Sequence, residues 1–458
     1  MQQVREYARL TTNESATSSL DCAVIKPATL EWLQELASGW KGEEPLLLSD
    51  GYRALKLGSY VGYLQSPDGE GIEILPKASL GHDNPLQTRR VLQRMLLAAL
   101  KIRPRVTGPA ELMRMNVPLH EWIFSQFLFE LQLLVTKGLR FDYRRVDEES
   151  RFIRGQLQIQ RQQLQSPARQ YLFHISHDVY SPDRLENRLL KTALNYVLAT
   201  CRNTENWRLA NELSHRIAEI PLQTKPHCEL RHWNNSKLMQ VYNDVRPWCE
   251  LILEKMNPNF QQGNHKGISL LFPMEQLFEK YVEVSLRSHI RKGSQLVSQA
   301  SSQYLLEHTV GNNDKPQAMF RLKPDLLLST SNGVQTLDTK WKLIDQSAWQ
   351  TDKKYNIAQS DLYQMFAYGH KYQNGEGHMM LIYPKHLSFN HSLPPFHYSN
   401  SLKVWVVPFC LDSQQLVPGS WQEYFPNLSW RELMTGNCIK YREAGKSIMV
   451  SSGIMQFQ

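Results

Sequence analysis

The sequence lacks the features of membrane, secreted and cysteine-rich proteins. No apolar run approaches the ~20 residues needed to cross a bilayer, and Arg5 and Arg9 near the start are not followed by the apolar core of a secretory signal. The six cysteines lie far apart and form no CxxC pair, so neither a zinc ribbon nor a dense disulfide framework is indicated. We therefore expect a cytoplasmic protein without a membrane partner.

Signatures of several enzyme classes are also missing. The sequence contains no HExxH, GxSxG or GxGxxG motif, so zinc peptidase, serine hydrolase and dinucleotide-binding chemistry are not indicated. Gly445-Lys446-Ser447 resembles the end of a P-loop, but Lys440 occupies the position of its first glycine. We expect no nucleotide to be bound by this chain.

The composition is that of a globular protein with a basic excess. The chain has 458 residues, of which 41% are hydrophobic and 21% charged, and this length favours two or three domains. The net charge of +8 and the pI of about 9.0 favour a polyanionic partner such as DNA, because phosphates attract a basic surface.

Apolar spacing and turn signals divide the chain into three regions. Residues 1–150 are expected to form a β-rich N-terminal domain with helices, because turn signals such as Pro67-Asp68-Gly69 interrupt alternating runs. Residues 151–262 are expected to be mainly helical, with one helix from Leu185 to Leu198. Residues 263–458 begin at a turn cluster and are expected to form a C-terminal α/β domain with a central mixed sheet.

A Gln- and Arg-rich stretch from Arg151 to Gln170 has two interpretations. It either faces DNA or is simply solvated. Runs of charged and amide side chains are more often solvated faces, and we favour that interpretation.

Two strand-like runs are joined at Asn332-Gly333, a strong short signal for a β-hairpin. If those two residues occupy the turn, Asp325 lies opposite Lys340 and Leu327 lies opposite Asp338. The period of two then collects Asp325, Asp338 and Lys340 on one face of the hairpin and leaves mostly apolar residues on the other.

The two carboxylates predict a metal site. Asp325 and Asp338 repel each other unless a cation lies between them, and oxygen ligands suit Mg²⁺, for which Mn²⁺ is an expected substitute. Lys340 is placed to orient or activate a metal-bound water, and the backbone carbonyl of Thr339 is an additional candidate ligand. The alternative is an exposed hairpin with ordinary ion pairs.

Helices are predicted on both sides of the hairpin. Downstream, a helix beginning at a Ser360 cap places Gln364 and Tyr368 one turn apart on one face. Upstream, a helix from Leu270 to Val282 is predicted to begin at Pro273. It carries an acidic stripe of Glu275, Glu279 and Glu283, which is either functional or only solvent-facing.

In this order the motifs resemble the catalytic half of the McrC family. The resemblance covers about Gly267 to Lys385 and rests on four segments: Leu277-Phe278-Glu279, Pro324-Asp325, Asp338-Thr339-Lys340, and Asp361-x-Tyr363-Gln364-x-x-x-Tyr368. It implies a multidomain α+β protein whose C-terminal domain is an α/β PD-(D/E)xK, or restriction-endonuclease-like, domain after a β-rich N-terminal domain and a helical middle.

The resemblance also implies roles for individual residues. Asp325, Asp338 and Glu279 are expected to be metal ligands, and Lys340 is expected to be the catalytic lysine. Gln364 and Tyr368 are expected to lie on the helix that supports the site and DNA. Glu275 is an alternative to Glu279 as the accessory acid.

Looser similarity to long McrC proteins extends into the N-terminal half. It involves Gly62 to Lys77 with its Ile-Leu-Pro-Lys ending, Phe152 to Leu157, and Asp183 to Leu190. Gly62 to Lys77 is a candidate for part of a partner-docking unit, and the alternative is a hairpin that only stabilises the fold.

McrC proteins are the nuclease subunits of modification-dependent (type IV) restriction systems. The resemblance therefore implies Mg²⁺-dependent cleavage of double-stranded DNA carrying modified bases such as 5-methylcytosine, in antiviral defence. It implies a hexameric McrB-like AAA+ GTPase as partner, which receives N-terminal elements of McrC and is stimulated to hydrolyse GTP. Self-association through the nuclease half is left open.

Two other functions compete with this one. The first is a non-catalytic scaffold that links a motor to DNA, with the acidic hairpin structural. The second is a stand-alone DNA repair or recombination nuclease of the PD-(D/E)xK type, which needs neither nucleotide nor partner. Fold similarity alone does not separate the two enzymes.

Overall fold

The computed structural model of the protein describes residues 1–40, 44–51, 53–77, 84–102, 117–256, 267–309, 316–331, 333–350 and 354–428. Asn332, the predicted boundary between residues 262 and 263, and the P-loop-like segment at Lys446 lie outside these ranges. Within them the chain is a mixed α/β protein. None of the described helices is long and apolar enough to span a membrane.

The α-helices in the described ranges are α1 (Pro27–Ser38), α2 (Pro85–Ala99), α3 (Leu119–Lys137), α4 (Ile159–Gln163), α5 (Leu185–Thr200), α6 (Thr204–Arg216), α7 (Pro226–Glu229), α8 (Arg246–Leu251), α9 (Met274–Arg287) and α10 (Gln359–Tyr372). Short 3-10 helices lie at Pro167–Arg169, Leu230–His232, Lys237–Tyr242, Ala348–Gln350, Lys354–Asn356 and Ser420–Glu423, and a π-helical turn lies at Ile252–Met256.

The strands are β1 (Gln2–Arg5), β2 (Arg9–Thr11), β3 (Cys22–Val24), β4 (Leu47–Ser49), β5 (Ala54–Leu57), β6 (Tyr60–Gln65), β7 (Gly71–Leu75), β8 (Asp142–Ser150), β9 (Gln156–Leu157), β10 (Phe173–Ser181), β11 (Ile268–Pro273), β12 (Gln295–Ser298), β13 (Gln303–His308), β14 (Gln317–Leu322), β15 (Leu326–Thr330), β16 (Gly333–Thr339), β17 (Gly377–Pro384), β18 (Phe396–His397), β19 (Leu402–Cys410) and β20 (Gln415–Leu416). The five cysteines in the described ranges are free thiols, as their spacing predicts.

The N-terminal region contains two four-stranded sheets, with orders β1-β7-β6-β11 and β3-β2-β5-β4. In the first sheet β11 pairs with β6, although the helical middle separates them in sequence. Gly62 makes this pairing possible: it has a φ of +142°, and a Cβ there would lie 1.9 Å from the carbonyl oxygen of Leu270. Strands β1 to β8 lie within residues 1–150, together with helices α1 to α3.

The middle of the chain is only partly helical. The helix predicted from Leu185 to Leu198 is confirmed as α5, and its apolar face packs with α3 and α6 in the largest core. The region also contains a three-stranded sheet of order β8-β10-β9, which the sequence pattern does not predict. No side chain of β8 or β9 is buried, and only Ile175 and Ser176 of β10 are, so these strands lack the apolar alternation that identifies a half-buried strand.

We call residues 142–181 the exposed arm. The Gln- and Arg-rich stretch lies within it, and α4 and most of that stretch are solvent-exposed, as the favoured interpretation predicts. Apolar side chains are exposed there too, including Phe152 at 72% and Leu164 at 87% of their surface.

The C-terminal sheet is mixed. Its strands follow the order β12-β15-β16-β17-β19-β18, with β20 beside β19. Strands β16, β17 and β19 are parallel, and the remaining pairs are antiparallel. Helix α9 packs in the core on one face and α10 in the core on the other, so the sheet is buried on both sides.

Two details of the predicted hairpin are wrong. Thr330 pairs with Gly333, so the register is displaced by two residues from the predicted one. Alternation with a period of two determines which face of the sheet a residue occupies. It does not distinguish two registers that differ by two residues, and only the turn does so. Leu326 consequently pairs with Leu337, and Asp325 lies in a bend before β15 rather than opposite Lys340.

Two helix starts also differ from their predictions. Residues from Leu270 to Pro273 belong to strand β11, and α9 begins only at Met274 with Pro273 as its N-cap. Helix α10 begins at Gln359, and Ser360 does not cap it. In the first case a short apolar run suits a strand and a helix equally, and pairing with β6 decides between them.

Candidate active site

The predicted hairpin residues meet at the C-terminal end of β16. Asp338 is buried, with 1% of its side chain exposed, and its Oδ2 lies 2.7 Å from Nζ of Lys340. Asp325 approaches from the bend before β15 and accepts hydrogen bonds from Thr339, 2.7 Å from the backbone nitrogen and 2.6 Å from the hydroxyl. These contacts gather Asp325, Asp338, Thr339 and Lys340 at one place.

Burial and charge make Asp338 unusual. Burial, and then the negative charge of Asp325, raise the pKa of Asp338 to about 7 despite the nearby lysine. Burial lowers the pKa of Lys340, but the carboxylate of Asp338 more than offsets this, so the pKa of Lys340 is raised. Lys340 is therefore a stable cation beside a carboxylate that is readily protonated.

Both candidate accessory acids lie on α9 and line the same cleft. Burial raises the pKa of Glu275 and of Glu279, and the charge of Asp325 is the second cause for Glu279. Gln299 links Glu279 to the acidic pair: its Nε2 donates to Glu279 Oε1 at 3.1 Å, and its backbone nitrogen donates to the carbonyl of Asp325 at 2.8 Å. No sequence motif marks Gln299.

Gln364 and Tyr368 lie on one face of α10, as predicted. Gln364 Nε2 donates to the hydroxyl of Tyr368 at 2.7 Å, and this hydroxyl donates to the carbonyl of Lys323 at 2.9 Å. Both hydrogen bonds thus hold the chain segment that leads to Asp325. The pair braces the site through this segment rather than through its carboxylates.

A second ion pair, half-buried and not predicted by the sequence, lies behind the site. Asp361, the first acidic residue of α10, accepts hydrogen bonds from Lys342 Nζ at 3.0 Å and from the hydroxyl of Tyr383 at 3.2 Å. Lys342 lies two residues after Lys340, so this ion pair connects the chain segment after β16 to α10. The Asp361-x-Tyr363-Gln364 motif contains Asp361 but does not reveal its partner.

A cleft of about 850 Å³ opens beside these residues and is lined by Asp325, Thr339, Lys340, Glu275, Glu279 and Lys323, among others. Asp338 lies behind this surface. The cleft continues between α2 and α8, so N-terminal and middle elements form part of its wall. Its size suits a substrate segment larger than a single ion.

The residues fit a Mg²⁺ ion held by two carboxylates. Apart from its ion pair with Lys340, neither carboxylate oxygen of Asp338 has a hydrogen-bond partner in the described ranges. Mg²⁺ commonly uses one or two carboxylates and keeps several waters. Within those ranges no three or more Asp, Glu, His or Cys side chains are grouped as a metal site, so Glu279 does not complete a ready-made three-acid site.

Together the mixed sheet, and the acidic pair beside a lysine next to an open cleft, define an α/β protein with a candidate metal site. A family model described as "McrBC 5-methylcytosine restriction system component" matches residues 55–384. This is well over half of the sequence, and the chain belongs to that family.

Solved structures agree at the level of the fold. One chain of a Thermococcus gammatolerans assembly, described as a refined half-complex from a tetradecameric assembly of McrB AAA+ hexamers with bound McrC, matches with a TM-score of 0.66 and 16% identity. The match covers 93% of this chain and 98% of the other. A chain of the cryo-EM McrBC complex from the same organism matches with a TM-score of 0.50 and 20% identity, over 64% of this chain and 88% of the other. No curated protein sequence matches.

Proposed function

We propose that this chain is the nuclease subunit of a modification-dependent restriction system and hydrolyses DNA phosphodiester bonds with Mg²⁺ at a PD-(D/E)xK site. The observation that carries the proposal is the meeting of Asp325, Asp338 and Lys340 at an open cleft in a member of the McrBC family. A structural ion pair would need only one of the two carboxylates.

Each residue has a specific part in this reaction. Asp325 and Asp338 would hold the metal, with the Thr339 carbonyl and Glu279 as further candidates, and Lys340 would orient the attacking water and add positive charge toward the phosphate. Bound Mg²⁺ lowers the pKa of a water and neutralises charge that develops on the phosphate oxygens. Gln364 and Tyr368 keep the segment before Asp325 in place.

Substitution of the lysine is the direct test. Lys340→Ala should abolish DNA cleavage when an McrB-like partner, GTP and Mg²⁺ are present, because positive charge at the scissile phosphate is lost. Lys371→Ala, which alters an exposed lysine on α10, should cut at the wild-type rate. Unchanged cleavage by Lys340→Ala would rule out the assignment.

The two rival functions give different results. A scaffold should bind no Mn²⁺ in a calorimetric titration even with DNA present, whereas a nuclease should bind it and bind it more weakly in Asp325→Asn. A stand-alone nuclease should cut DNA without nucleotide or partner. Cleavage that requires both an McrB-like GTPase and GTP supports the restriction subunit.

The second part of the proposal is assembly on an McrB-like AAA+ GTPase hexamer in the cytoplasm, with stimulation of its GTP hydrolysis. The Thermococcus assembly that shares this fold contains McrB AAA+ hexamers with bound McrC. Strands β6 and β7, which form most of Gly62 to Lys77, are buried along their whole length, which favours the stabilising interpretation of that hairpin. We assign docking instead to the exposed arm, whose apolar side chains need a partner.

Substitutions in the exposed arm test this assignment. Replacing Phe152 and Leu164 by Ser should abolish stimulation of GTP hydrolysis and leave Mn²⁺ binding unchanged, because both side chains are exposed and lie outside the buried cores. Leu387→Ser, an equally exposed leucine in the C-terminal region, is the matched control and should stimulate normally. Full stimulation by the arm variant would exclude docking through the arm.

A further inference from the structure

A buried glutamate connects the N-terminal sheet to the chain segment that follows β16. Glu6 follows β1 and is fully buried, and its Oε1 accepts hydrogen bonds from the backbone nitrogen of Lys77 at 2.7 Å and from Nε1 of Trp341 at 2.8 Å. Its own backbone nitrogen donates to the carbonyl of Leu75 at 2.9 Å. One carboxylate oxygen thus links two N-terminal segments to the residue after Lys340.

Trp341 contacts both elements of the candidate site. It directly follows Lys340 in the chain and has only 6% of its surface exposed. Its ring lies 5.2 Å from the ring of Phe278, which directly precedes Glu279 on α9. The orientation of one indole therefore affects the position of the lysine and that of the accessory acid.

This arrangement also explains the Ile-Leu-Pro-Lys ending of the N-terminal hairpin, which has no part in the proposed chemistry. Pro76 ends β7 and turns the chain so that the N–H of Lys77 meets Glu6. A cavity of about 260 Å³ lies at this junction, between Tyr7, Lys77 and Trp341, among others. The other oxygen of Glu6, Oε2, has no hydrogen-bond partner in the described ranges, so Oε1 alone makes the connection.

We propose that Glu6 is a positioning residue for the nuclease site, which fixes Trp341 and thereby aligns Lys340 with Glu279. The inference rests on the proposed nuclease function, but the contacts of Glu6 with Lys77 and Trp341 do not depend on that function. Without Glu6 the buried indole N–H of Trp341 and the part-buried backbone N–H of Lys77 lose this acceptor, and the indole is free to turn. Small displacements of catalytic groups reduce rates strongly even when the substrate still binds.

The kinetic test uses the full chain assembled with its partner. Glu6→Leu should lower kcat for DNA cleavage roughly ten- to a hundredfold while leaving the KM for DNA and the stimulation of GTP hydrolysis unchanged. Glu6→Gln keeps an oxygen acceptor and should cut at nearly the wild-type rate. Trp341→Phe removes the donor, keeps a smaller aromatic ring beside Phe278 and should lower kcat in the same direction. It serves as the test if Glu6→Leu does not fold.

A matched control separates positioning from general destabilisation. Thr29→Val removes a buried hydroxyl that donates to Glu70 in the same N-terminal region and does not touch Trp341. Equal losses of kcat in Thr29→Val and Glu6→Leu, or wild-type cleavage by Glu6→Leu, would overturn the proposal.

Hydrogen exchange gives a result that does not depend on cleavage. Glu6→Leu should speed amide exchange in peptides covering residues 337–343, and Thr29→Val should not. Unchanged exchange in Glu6→Leu refutes the positioning role. A wild-type chain that never cuts DNA refutes the proposed function instead, and the exchange result then decides the role of Glu6 alone.

Discussion

Metal affinity at the candidate site should weaken as the pH falls, and the burial of Asp338 determines the pH range over which it weakens. Burial and the charge of Asp325 raise the pKa of Asp338 to about 7. A proton and a metal ion compete for this carboxylate, so the apparent affinity follows its ionised fraction. That fraction falls about tenfold between pH 8 and pH 6, which lowers the apparent binding free energy by about 1.4 kcal/mol.

Calorimetric titration with Mn²⁺ at about pH 6, 7 and 8 measures this effect. In buffers of different protonation enthalpy, binding should release nearly one proton at about pH 6 and almost none at about pH 8. Asp325→Asn removes a charge that raises the pKa of Asp338, so its weaker binding should lose affinity at a lower pH than wild type. Asp412→Asn, at an exposed ion pair with Arg94, should not change the curve.

Two results would refute this reasoning. A flat pH dependence in the wild type would mean that Asp338 does not exchange a proton for the metal. A midpoint in Asp325→Asn that is equal to or higher than the wild-type midpoint would mean that the charge of Asp325 does not raise the pKa of Asp338.

Three further predictions concern other contacts. Glu73→Ala should lower the free energy of unfolding by about 3–5 kcal/mol in urea denaturation, because the buried guanidinium of Arg89 loses its ion pair with this carboxylate; a loss under about 1 kcal/mol would contradict this. Tyr368→Phe should lower the free energy of unfolding by about 1–3 kcal/mol in the same assay and slow cleavage, because Gln364 and the carbonyl of Lys323 lose their hydrogen-bond partner. An unchanged free energy of unfolding and an unchanged cleavage rate would contradict this prediction. Glu279→Gln should weaken Mn²⁺ binding with DNA present more than Glu275→Gln does, and the reverse order would make the latter the accessory acid.

The core of the candidate site could be predicted because it is local in sequence. Asp338, Thr339 and Lys340 are consecutive, and a short hairpin brings Asp325 close to them. Alternation along the strands predicts this meeting even though the predicted register is wrong, since a shift of two residues leaves every side chain on its face. The contact of Gln364 with Tyr368 is likewise a single helical turn.

Contacts between distant segments could not be predicted. Glu6 and Trp341 are far apart in sequence, and a lone glutamate after a short strand has no pattern that separates a buried acceptor from a surface charge. The same holds for Lys342 with Asp361, where only the packing of α10 on the sheet identifies the partner. The strands of the exposed arm could not be predicted for the opposite reason, since β8 buries no side chain and β10 buries only Ile175 and Ser176, so neither strand shows apolar alternation.

The pairing of β6 with β11 has a consequence for biosynthesis. In the sheet β1-β7-β6-β11, strands β1, β6 and β7 are synthesised long before β11 (Ile268–Pro273). One edge of β6 therefore stays unpaired while the middle of the chain is translated. An unpaired edge invites association with other nascent chains. The pairing of β11 with β6 should therefore be the folding step most dependent on chaperones and most sensitive to translation rate. A side chain at position 62 would delay this pairing, because it would clash with β11.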